Sequence, residues 1–215
     1  ESRGLGDVYK RQFQMMVEAG SMRIMEILSE ATNVIAEGEV LQLMNMHDAS
    51  LDEADYLRVI RSKTAKLFEA SARLGAILAN SPPDVEEACA TYGQALGTAF
   101  QIIDDVLDYD GDAAEMGKNL GDDLREGKST LPLIAAMERG TFSQAEVVRQ
   151  AIEHGSTEQL TEIVSIVRQT GALDVTRAAA FAEAHRAMAA ARRLPANAYS
   201  EGLLELASQL LERRN

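Results

Sequence analysis

Apolar residues recur every three or four positions along almost the whole chain, and no useful length of it alternates with the period of a β-strand. The spacing predicts a first helix over residues 13–46 and a second over residues 52–78, which ends before a pair of prolines. The methionines of the first helix, Met15, Met22 and Met25, are expected to pack in the core of a bundle. The first part of the chain therefore predicts long helices.

The same period continues through the second half of the chain. A third helix is expected over residues 84–109, and residues 110–129, rich in Gly, Asp and Lys, are expected to form a long loop. Residues 143–146 and 156–159 are predicted to be capping boxes, and each starts a helix. Two further helices are predicted over residues 173–193 and 199–213. The fold class is all-α.

Composition agrees with an all-α fold, and the net charge argues against some classes of binding partner. Hydrophobic residues make up 46% of the 215-residue chain, aromatic residues only 5%, and there is no tryptophan. The formal net charge of −13, without any run rich in lysine or arginine, argues against nucleic acid and anionic membrane surfaces as partners. No apolar run approaches the roughly 20 residues of a transmembrane segment. The single cysteine, Cys89, excludes an internal disulfide and favours a reducing, cytoplasmic location.

The first twelve residues, ESRGLGDVYKRQ, contain two glycines and no amphipathic pattern, and a well-patterned helix follows abruptly. We interpret residues 1–12 as a non-native or disordered tail, with a native flexible tail as the alternative. Residues 13–215 are then expected to form a single all-α domain.

The most informative stretch places three carboxylates on one edge of the third helix. Asp104 and Asp108 are one helical turn apart, and Asp105 lies three residues before Asp108. Because apolar residues flank them, these carboxylates are expected to repel one another and to raise each other's pKa unless a cation offsets their charge. Oxygen ligands suit Mg²⁺, which commonly shares its coordination shell with substrate phosphates. The alternative is three exposed acids on a solvated helix face.

Lysines accompany this acidic stretch. Lys118 and Lys128 lie on the glycine-rich segment that follows it, and Lys63 lies within the second predicted helix. Together with a metal, they could clamp an anionic substrate. Each lysine taken singly is better explained as a solvated surface charge, so the combination carries the argument.

Four segments together resemble the trans-polyprenyl diphosphate synthases, most closely their long-chain, octaprenyl-type members. These segments are AEGEVLQL (36–43), SKTAKLFEASARLGAIL (62–78), LGTAFQIIDDVLDY (96–109) and MGKNLGDDLREGKSTLPLI (116–134). The resemblance implies an isoprenoid synthase-type helical bundle around a central apolar cavity. It also implies that Mg²⁺ assists the ionisation of an allylic diphosphate such as farnesyl diphosphate. Isopentenyl diphosphate attacks the carbocation and a proton is lost, and repeated cycles give a long-chain polyprenyl diphosphate for quinone side chains.

The resemblance also assigns roles to residues. The implied metal ligands are Asp104, Asp105 and Asp108, with Asp122 on a metal-bound water. The implied diphosphate-binding side chains are Lys63, Lys118 and Lys128. Thr64, Gln101 and the Lys63 carbonyl are placed near the carbocation, which partial negative charges stabilise. Lys63, Thr64, Gln101 and Lys118 are thus the expected catalytic residues. The implied contacts with the prenyl chain and the cavity are Phe100, Glu39 and Gln42.

The chain departs from the family at its beginning. The first Asp-rich motif of the family, and the paired arginines after it, have no counterpart, because the acids at residues 52–55 begin a helix in the wrong context. We therefore expect an N-terminally truncated synthase, inactive alone and homodimeric when full length. The alternatives are a non-catalytic subunit of a heteromeric synthase and a class I terpene cyclase, which shares the fold and the metal chemistry.

Overall fold

The computed structural model describes Arg11, residues 14–110 and residues 120–212, and these residues form helices and connecting loops with no strand among them. In chain order, the helices are α1 (Met22–Met44), α2 (Glu53–Ile60), α3 (Lys66–Leu78), α4 (Pro83–Asp110), α5 (Asp122–Arg125), α6 (Leu131–Arg139), α7 (Phe142–His154), α8 (Leu160–Gln169), α9 (Ala172–Ala191) and α10 (Ala198–Glu212). A single π-helical turn, the π turn (Arg61–Ala65), joins α2 to α3. The predicted all-α class is confirmed. Apart from Arg11, the proposed tail of residues 1–12 lies outside the described residues.

The first predicted helix is interrupted. Residues 14–18 are helical, but Gly20 adopts a left-handed φ of 63°, and Ser21 then caps α1 by accepting a hydrogen bond from the backbone N–H of Ile24. A single helix over residues 13–46 is therefore wrong. The expected core packing of the methionines is also wrong for Met15 and Met22, whose side chains are exposed. Their spacing on a helix gave no information on whether another element covers that face.

The second predicted helix forms with a local widening in its middle. Asp52 caps α2 by accepting a hydrogen bond from the Asp55 N–H at 2.9 Å. The acids at residues 52–55 thus begin a helix, as predicted when they were set apart from the first Asp-rich motif of the family. The π turn follows, and α3 continues the same helix to Leu78. Gly38 of α1 packs directly on this turn, since a Cβ at residue 38 would lie 2.6 Å from the backbone nitrogen of Lys63. A π turn inside a helix is often found at a functional site.

Helix α4 is the centre of the fold, and its predicted bounds are confirmed to within one residue. Near its start, Tyr92 and Leu96 pack against alanines of α9 and α10. In its middle, Ile102 and Ile103 pack against α2, α6 and α9. At its end, Tyr109 packs against α6, α7 and α8. Because neighbours surround α4, its polar residues are also partly removed from water.

The second half of the chain follows the prediction less closely. The predicted loop contains the one-turn helix α5. The capping box of α7 is formed by Thr141 and Gln144, not by the predicted pair that begins at Ser143, which lies inside the helix. Ser156 does not cap α8 either, because α8 begins only at Leu160. The last two helices match their predicted ranges closely. Among the described helices, none combines the length and apolarity needed to cross a lipid bilayer.

Candidate active site

A cavity of about 200 Å³ lies where the end of α1, the second half of α2, the π turn, α4, α5 and the segment after α5 meet. Most of its lining residues have polar side chains, and Leu51, Val59 and Ile60 add apolar ones. The polar side chains that line it are Gln42, Asn45, Lys63, Thr64, Gln101, Asp104, Asp105, Asp123, Lys128, Ser129 and Thr130. Two lysines and three carboxylates therefore share one small space.

The π turn supplies one lysine and one hydroxyl to the cavity. Lys63 and Thr64 are neighbours on this turn, and both side chains line the cavity. The Lys63 Nζ lies 2.9 Å from a carboxylate oxygen of Glu39 on α1. Glu39 itself does not line the cavity, so its contact with the site is made through Lys63.

A chain of hydrogen bonds connects the π turn to the acidic stretch of α4. The Thr64 hydroxyl donates to Gln101 Oε1 at 3.1 Å, and Gln101 Nε2 donates to Asp105 Oδ1 at 2.8 Å. The second oxygen of Asp105 accepts a 2.7 Å hydrogen bond from the Tyr56 hydroxyl of α2. Both oxygens of this buried carboxyl group are thus satisfied, as buried polar groups require. The chain fixes the relative positions of α2, the π turn and α4 at the cavity wall.

Two carboxyl groups of α4, those of Asp105 and Asp108, have raised pKa values, chiefly because they are buried. Burial, and next the charge of Asp123, raise the pKa of Asp105 to about 8, although its hydrogen bonds oppose the shift. The same two causes raise the pKa of Asp108 to about 6. Burial, and next the charge of Asp105, hold the pKa of Tyr56 well above its usual value, so that its hydroxyl remains a donor. Of the predicted mutual repulsion, the charge of Asp104 adds to the rise in the pKa of Asp105, but desolvation and the charge of Asp123 have larger effects.

The segment after α5 carries the second lysine of the cavity. Lys128 Nζ lies 2.9 Å from Asp123 and 2.7 Å from Glu126. Burial lowers the pKa of Lys128, but its hydrogen bond to Glu126 and the charge of Asp123 raise that pKa above its ordinary value. Lys128 therefore stays charged while half-buried, as a group that binds an anion must.

The segment that carries Lys128 is held against the end of α1. Gly127 adopts a left-handed φ of 72°, and a Cβ there would lie 2.4 Å from the ring of His47. The His47 backbone N–H donates to the Gly127 carbonyl at 2.7 Å, and the Ser129 hydroxyl donates to the Asp48 carbonyl at 2.5 Å. These contacts hold the segment in place from both sides of Lys128.

Most of the residues assigned from the sequence meet at this cavity, and some do not. Those that line it are Gln42, Lys63, Thr64, Gln101, Asp104, Asp105 and Lys128. Those that do not are Glu39, Phe100, Asp108 and Asp122, while Lys118 lies outside the described residues. The Phe100 ring stacks in a tilted arrangement on Phe68, with 5.9 Å between the ring centroids.

Asp108 and Asp122 make contacts beside the cavity. The Asp108 side chain accepts a 3.3 Å hydrogen bond from the Asp123 backbone N–H, and its carbonyl accepts one from Gly121. Asp122 pairs with Arg125 one turn along α5. Asp108 thus anchors the start of α5. The roles of Asp108 and Asp122 in metal binding stay predictions.

Sequence reasoning missed two functional candidates in this cavity, Asp123 and Tyr56. Asp123 directly follows Asp122, and nothing in their order shows which of the two carboxylates faces the cavity. Tyr56 lies among the apolar positions of α2 and is read from the sequence as core. In the structure, Tyr56 lines the cavity and its hydroxyl donates a 2.7 Å hydrogen bond to Asp105.

The carboxylate oxygens that line the cavity are suitable ligands for a hard divalent cation. Asp104, Asp105 and Asp123 offer carboxylate oxygens to one cavity, which is the ligand type that Mg²⁺ prefers. Within the described part of the chain, no three His, Cys, Asp or Glu side chains are grouped so as to hold a metal ion by themselves. Mg²⁺ usually keeps several waters and shares substrate phosphates, so a partial set of protein ligands fits that ion.

Comparisons with known proteins point to one family. The sequence model described as polyprenyl synthetase matches residues 6–169 of the chain. The octaprenyl diphosphate synthase of Escherichia coli (strain K12) is 50% identical over 211 residues, which cover 97% of this chain and 65% of that protein. The all-trans-nonaprenyl-diphosphate synthase (geranyl-diphosphate specific) of Rhodobacter capsulatus is 43% identical over 203 residues, which cover 94% of this chain and 62% of the relative.

Solved structures agree with the sequence relatives. The crystal structure of a polyprenyl synthase from Caulobacter crescentus CB15, complexed with calcium and isoprenyl diphosphate, superposes with a TM-score of 0.90 at 45% identity. The match covers 96% of this chain and 64% of that structure's chain. The chain thus spans just under two thirds of the length of these relatives.

Proposed function

The chain belongs to the polyprenyl synthetase family, and on this premise we propose that it is part of a chain-elongating trans-prenyltransferase. The substrates are an allylic diphosphate, such as farnesyl diphosphate, and isopentenyl diphosphate. The product is a long-chain polyprenyl diphosphate, which fits a role in making quinone side chains. A relative named for octaprenyl diphosphate synthesis that is 50% identical supports this choice.

One observation carries the proposal: two lysines and three carboxylates line the same cavity. Lys63 from the π turn and Lys128 from the segment after α5 line it together with Asp104, Asp105 and Asp123. A diphosphate with bound divalent cations presents both negative oxygens and positive ions. A cavity with both kinds of group can bind such a ligand, whereas an excess of either kind would repel part of it.

The residues of the cavity take the following roles in this proposal. Lys63 and Lys128 bind the diphosphate and stabilise the charge that gathers on it as the C–O bond breaks and the electron pair leaves with the phosphate. Gln101 and Thr64, joined by their hydrogen bond, turn partial negative charges towards the allylic carbocation. The double bond of isopentenyl diphosphate then forms the new C–C bond, and a proton is lost.

Asp104, Asp105 and Asp123 are the carboxylates that would hold Mg²⁺ together with the substrate. When bound, the ion neutralises diphosphate charge and makes it a better leaving group. The raised pKa of Asp105 is that of a carboxyl group whose buried charge has too little compensation without a cation. Asp108 and Asp122 remain further candidates, since both lie next to the segment that carries Asp123.

Two other readings are less well supported by this cavity. A non-catalytic subunit of a heteromeric synthase has no need of two lysines and three carboxylates in one cavity. A class I terpene cyclase shares the carboxylates, but it more often carries an Asn/Ser/Glu metal set where this chain has its lysine-bearing segment. We also propose that the active protein is a homodimer and that the 215-residue chain alone does not turn over, because the second bank of carboxylates found in the family lacks a counterpart in it.

The first test is binding of inorganic pyrophosphate with Mg²⁺ to the 215-residue chain, measured by isothermal titration calorimetry. Lys63→Ala is compared with Lys66→Ala as a control. Lys66 lies three residues further along the chain, carries the same charge and is paired with Glu30 and Glu69. We expect Lys63→Ala to weaken binding about tenfold or more and Lys66→Ala to leave it within about twofold. Equal effects of the two variants would contradict the proposed site.

The second test is turnover with farnesyl diphosphate, Mg²⁺ and labelled isopentenyl diphosphate. The chain alone is compared with the chain joined to the preceding region of its Escherichia coli relative. Extended products only from the joined protein support both the reaction and the inactivity of the chain alone. Turnover by the chain alone would refute the inactivity, and no turnover by either would favour the non-catalytic subunit.

A further inference from the structure

A partly buried carboxylate on α9 connects the back of the π turn to the rest of the bundle. Glu183 Oε1 accepts a 2.7 Å hydrogen bond from the Arg61 guanidinium, which belongs to the first residue of the π turn. The other oxygen, Oε2, lies 2.9 Å from Arg186 Nε, and Arg186 in turn donates to Gln94 of α4 at 2.8 Å. The Glu183 side chain is only 13% exposed. None of these four side chains lines the cavity.

The π turn needs contacts of this kind to keep its shape. A π turn has poorer hydrogen-bond geometry than the α-helix on either side, so surrounding structure must select it. From one side, Gly38 of α1 packs on the Lys63 nitrogen, and from another, Gly97 of α4 packs on the Cα of Ala65. The pair of Arg61 and Glu183 holds the remaining side. Since Lys63 and Thr64 lie two and three residues after Arg61 on the same turn, a change in the turn moves both groups that line the cavity.

From this arrangement we propose that Glu183 is a positioning residue, which acts through Arg61 to hold Lys63 and Thr64 in their binding geometry. The inference rests on the proposed function, because it assigns Glu183 to the diphosphate site of that reaction. Glu183 does not touch the substrate. It sets the conformation of the turn from which Lys63 and Thr64 extend.

The competing view is that Glu183 contributes to stability alone, and the chain contains a matched control for it. Glu86 is also a buried carboxylate between two arginines, with Arg23 and Arg73 each at 2.7 Å. Its partners lie on α1 and α3, away from the cavity lining. Glu86→Gln and Glu183→Gln therefore remove the same charge from similar surroundings, and only the second affects the π turn.

The experiment compares three properties of the wild-type chain, Glu183→Gln and Glu86→Gln. These are the melting temperature, the dissociation constant for Mg²⁺ with inorganic pyrophosphate, and amide hydrogen exchange of residues 61–65 followed by mass spectrometry. We expect both variants to melt at lower temperature. Only Glu183→Gln should exchange faster at the π turn and bind pyrophosphate about tenfold more weakly, while Glu86→Gln stays within about twofold of wild type.

A second variant guards against misfolding and tests the pathway through Arg61. Arg61→Met removes the other partner, and the double variant with Glu183→Gln should bind no more weakly than the weaker of the two single variants, since both act on one contact. Additive losses, or equal effects of Glu183→Gln and Glu86→Gln, overturn the inference. Unchanged binding and exchange in Glu183→Gln also overturn it.

The outcome is distinguishable from failure of the proposed function. If Lys63→Ala binds pyrophosphate as wild type does, the proposed function fails, whatever Glu183 does. If Lys63→Ala weakens binding and Glu183→Gln does not, the proposed function stands and the positioning role of Glu183 fails.

Discussion

The hydrogen bond between Tyr56 and Asp105 gives a prediction that can be quantified from the structure. Tyr56→Phe removes the hydroxyl that donates to Asp105 at 2.7 Å and preserves the ring. Tyr56 is 4% exposed and Asp105 is 3% exposed, so water has little access to replace the lost donor. Above about pH 9 the Asp105 carboxyl, whose pKa is raised to about 8, is ionised, and a hydrogen bond to a charged group contributes roughly 1.5–3 kcal/mol. We therefore expect the free energy of unfolding to fall by about 2 kcal/mol, or about 4–8 °C in melting temperature for a chain of this size.

The assay is urea unfolding of the metal-free chain at about pH 9.5, where Asp105 is ionised, monitored by far-ultraviolet circular dichroism. Tyr92→Phe is the control, because the Tyr92 hydroxyl donates at 2.9 Å to a neutral acceptor, the backbone carbonyl of Leu203. Loss of a bond to a neutral acceptor is expected to cost about 1 kcal/mol. If Tyr56→Phe costs no more than Tyr92→Phe, the reasoning that assigns a special strength to the Asp105 contact is refuted.

Two further predictions concern glycine and helix capping. Gly127→Ala should lower the free energy of unfolding by about 2–3 kcal/mol, because residue 127 has a left-handed φ and its Cβ would meet the His47 ring. Gly75 on α3 has open space around it, so Gly75→Ala should raise the free energy of unfolding by roughly 0.5–1 kcal/mol. Thermal unfolding decides this, and a stable Gly127→Ala would mean that the segment is not held as described. Thr141→Ala should cost about 1 kcal/mol and Ser143→Ala almost nothing, since Thr141 forms the capping box of α7. The reverse order in urea unfolding would restore the cap predicted from the sequence.

Local pattern was sufficient wherever a property depends on neighbours along the chain. The apolar period gave the bounds of α4 to within one residue, because a helix that is packed on several sides needs apolar residues on all of them. The same period missed the break at Gly20, since apolar residues continue in phase on both sides of a single left-handed residue. It also placed Met15 and Met22 in a core, although the described structure leaves both exposed.

The acidic stretch of α4 likewise has features that the sequence pattern predicted and features that it could not predict. Its spacing correctly put Asp104 and Asp105 on one helix near a cluster of lysines, and the structure brings both to the cavity with Lys63 and Lys128. Spacing could not show that desolvation would raise the pKa of Asp105 more than its neighbours' charges do. Burial is set by the elements that pack on α4, which lie far from it in sequence.

The sequence by itself determined the all-α class, the helix with its acidic stretch and the lysines that accompany it, because these depend on residue type and on the 3.6-residue period. Tertiary structure decided which groups meet. It turned Asp123 rather than Asp122 to the cavity, joined Tyr56 to Asp105, and set Glu183 behind the π turn. Helical spacing fixes which side chains share a face, but only the packing of distant helices decides what that face touches and how much water remains there.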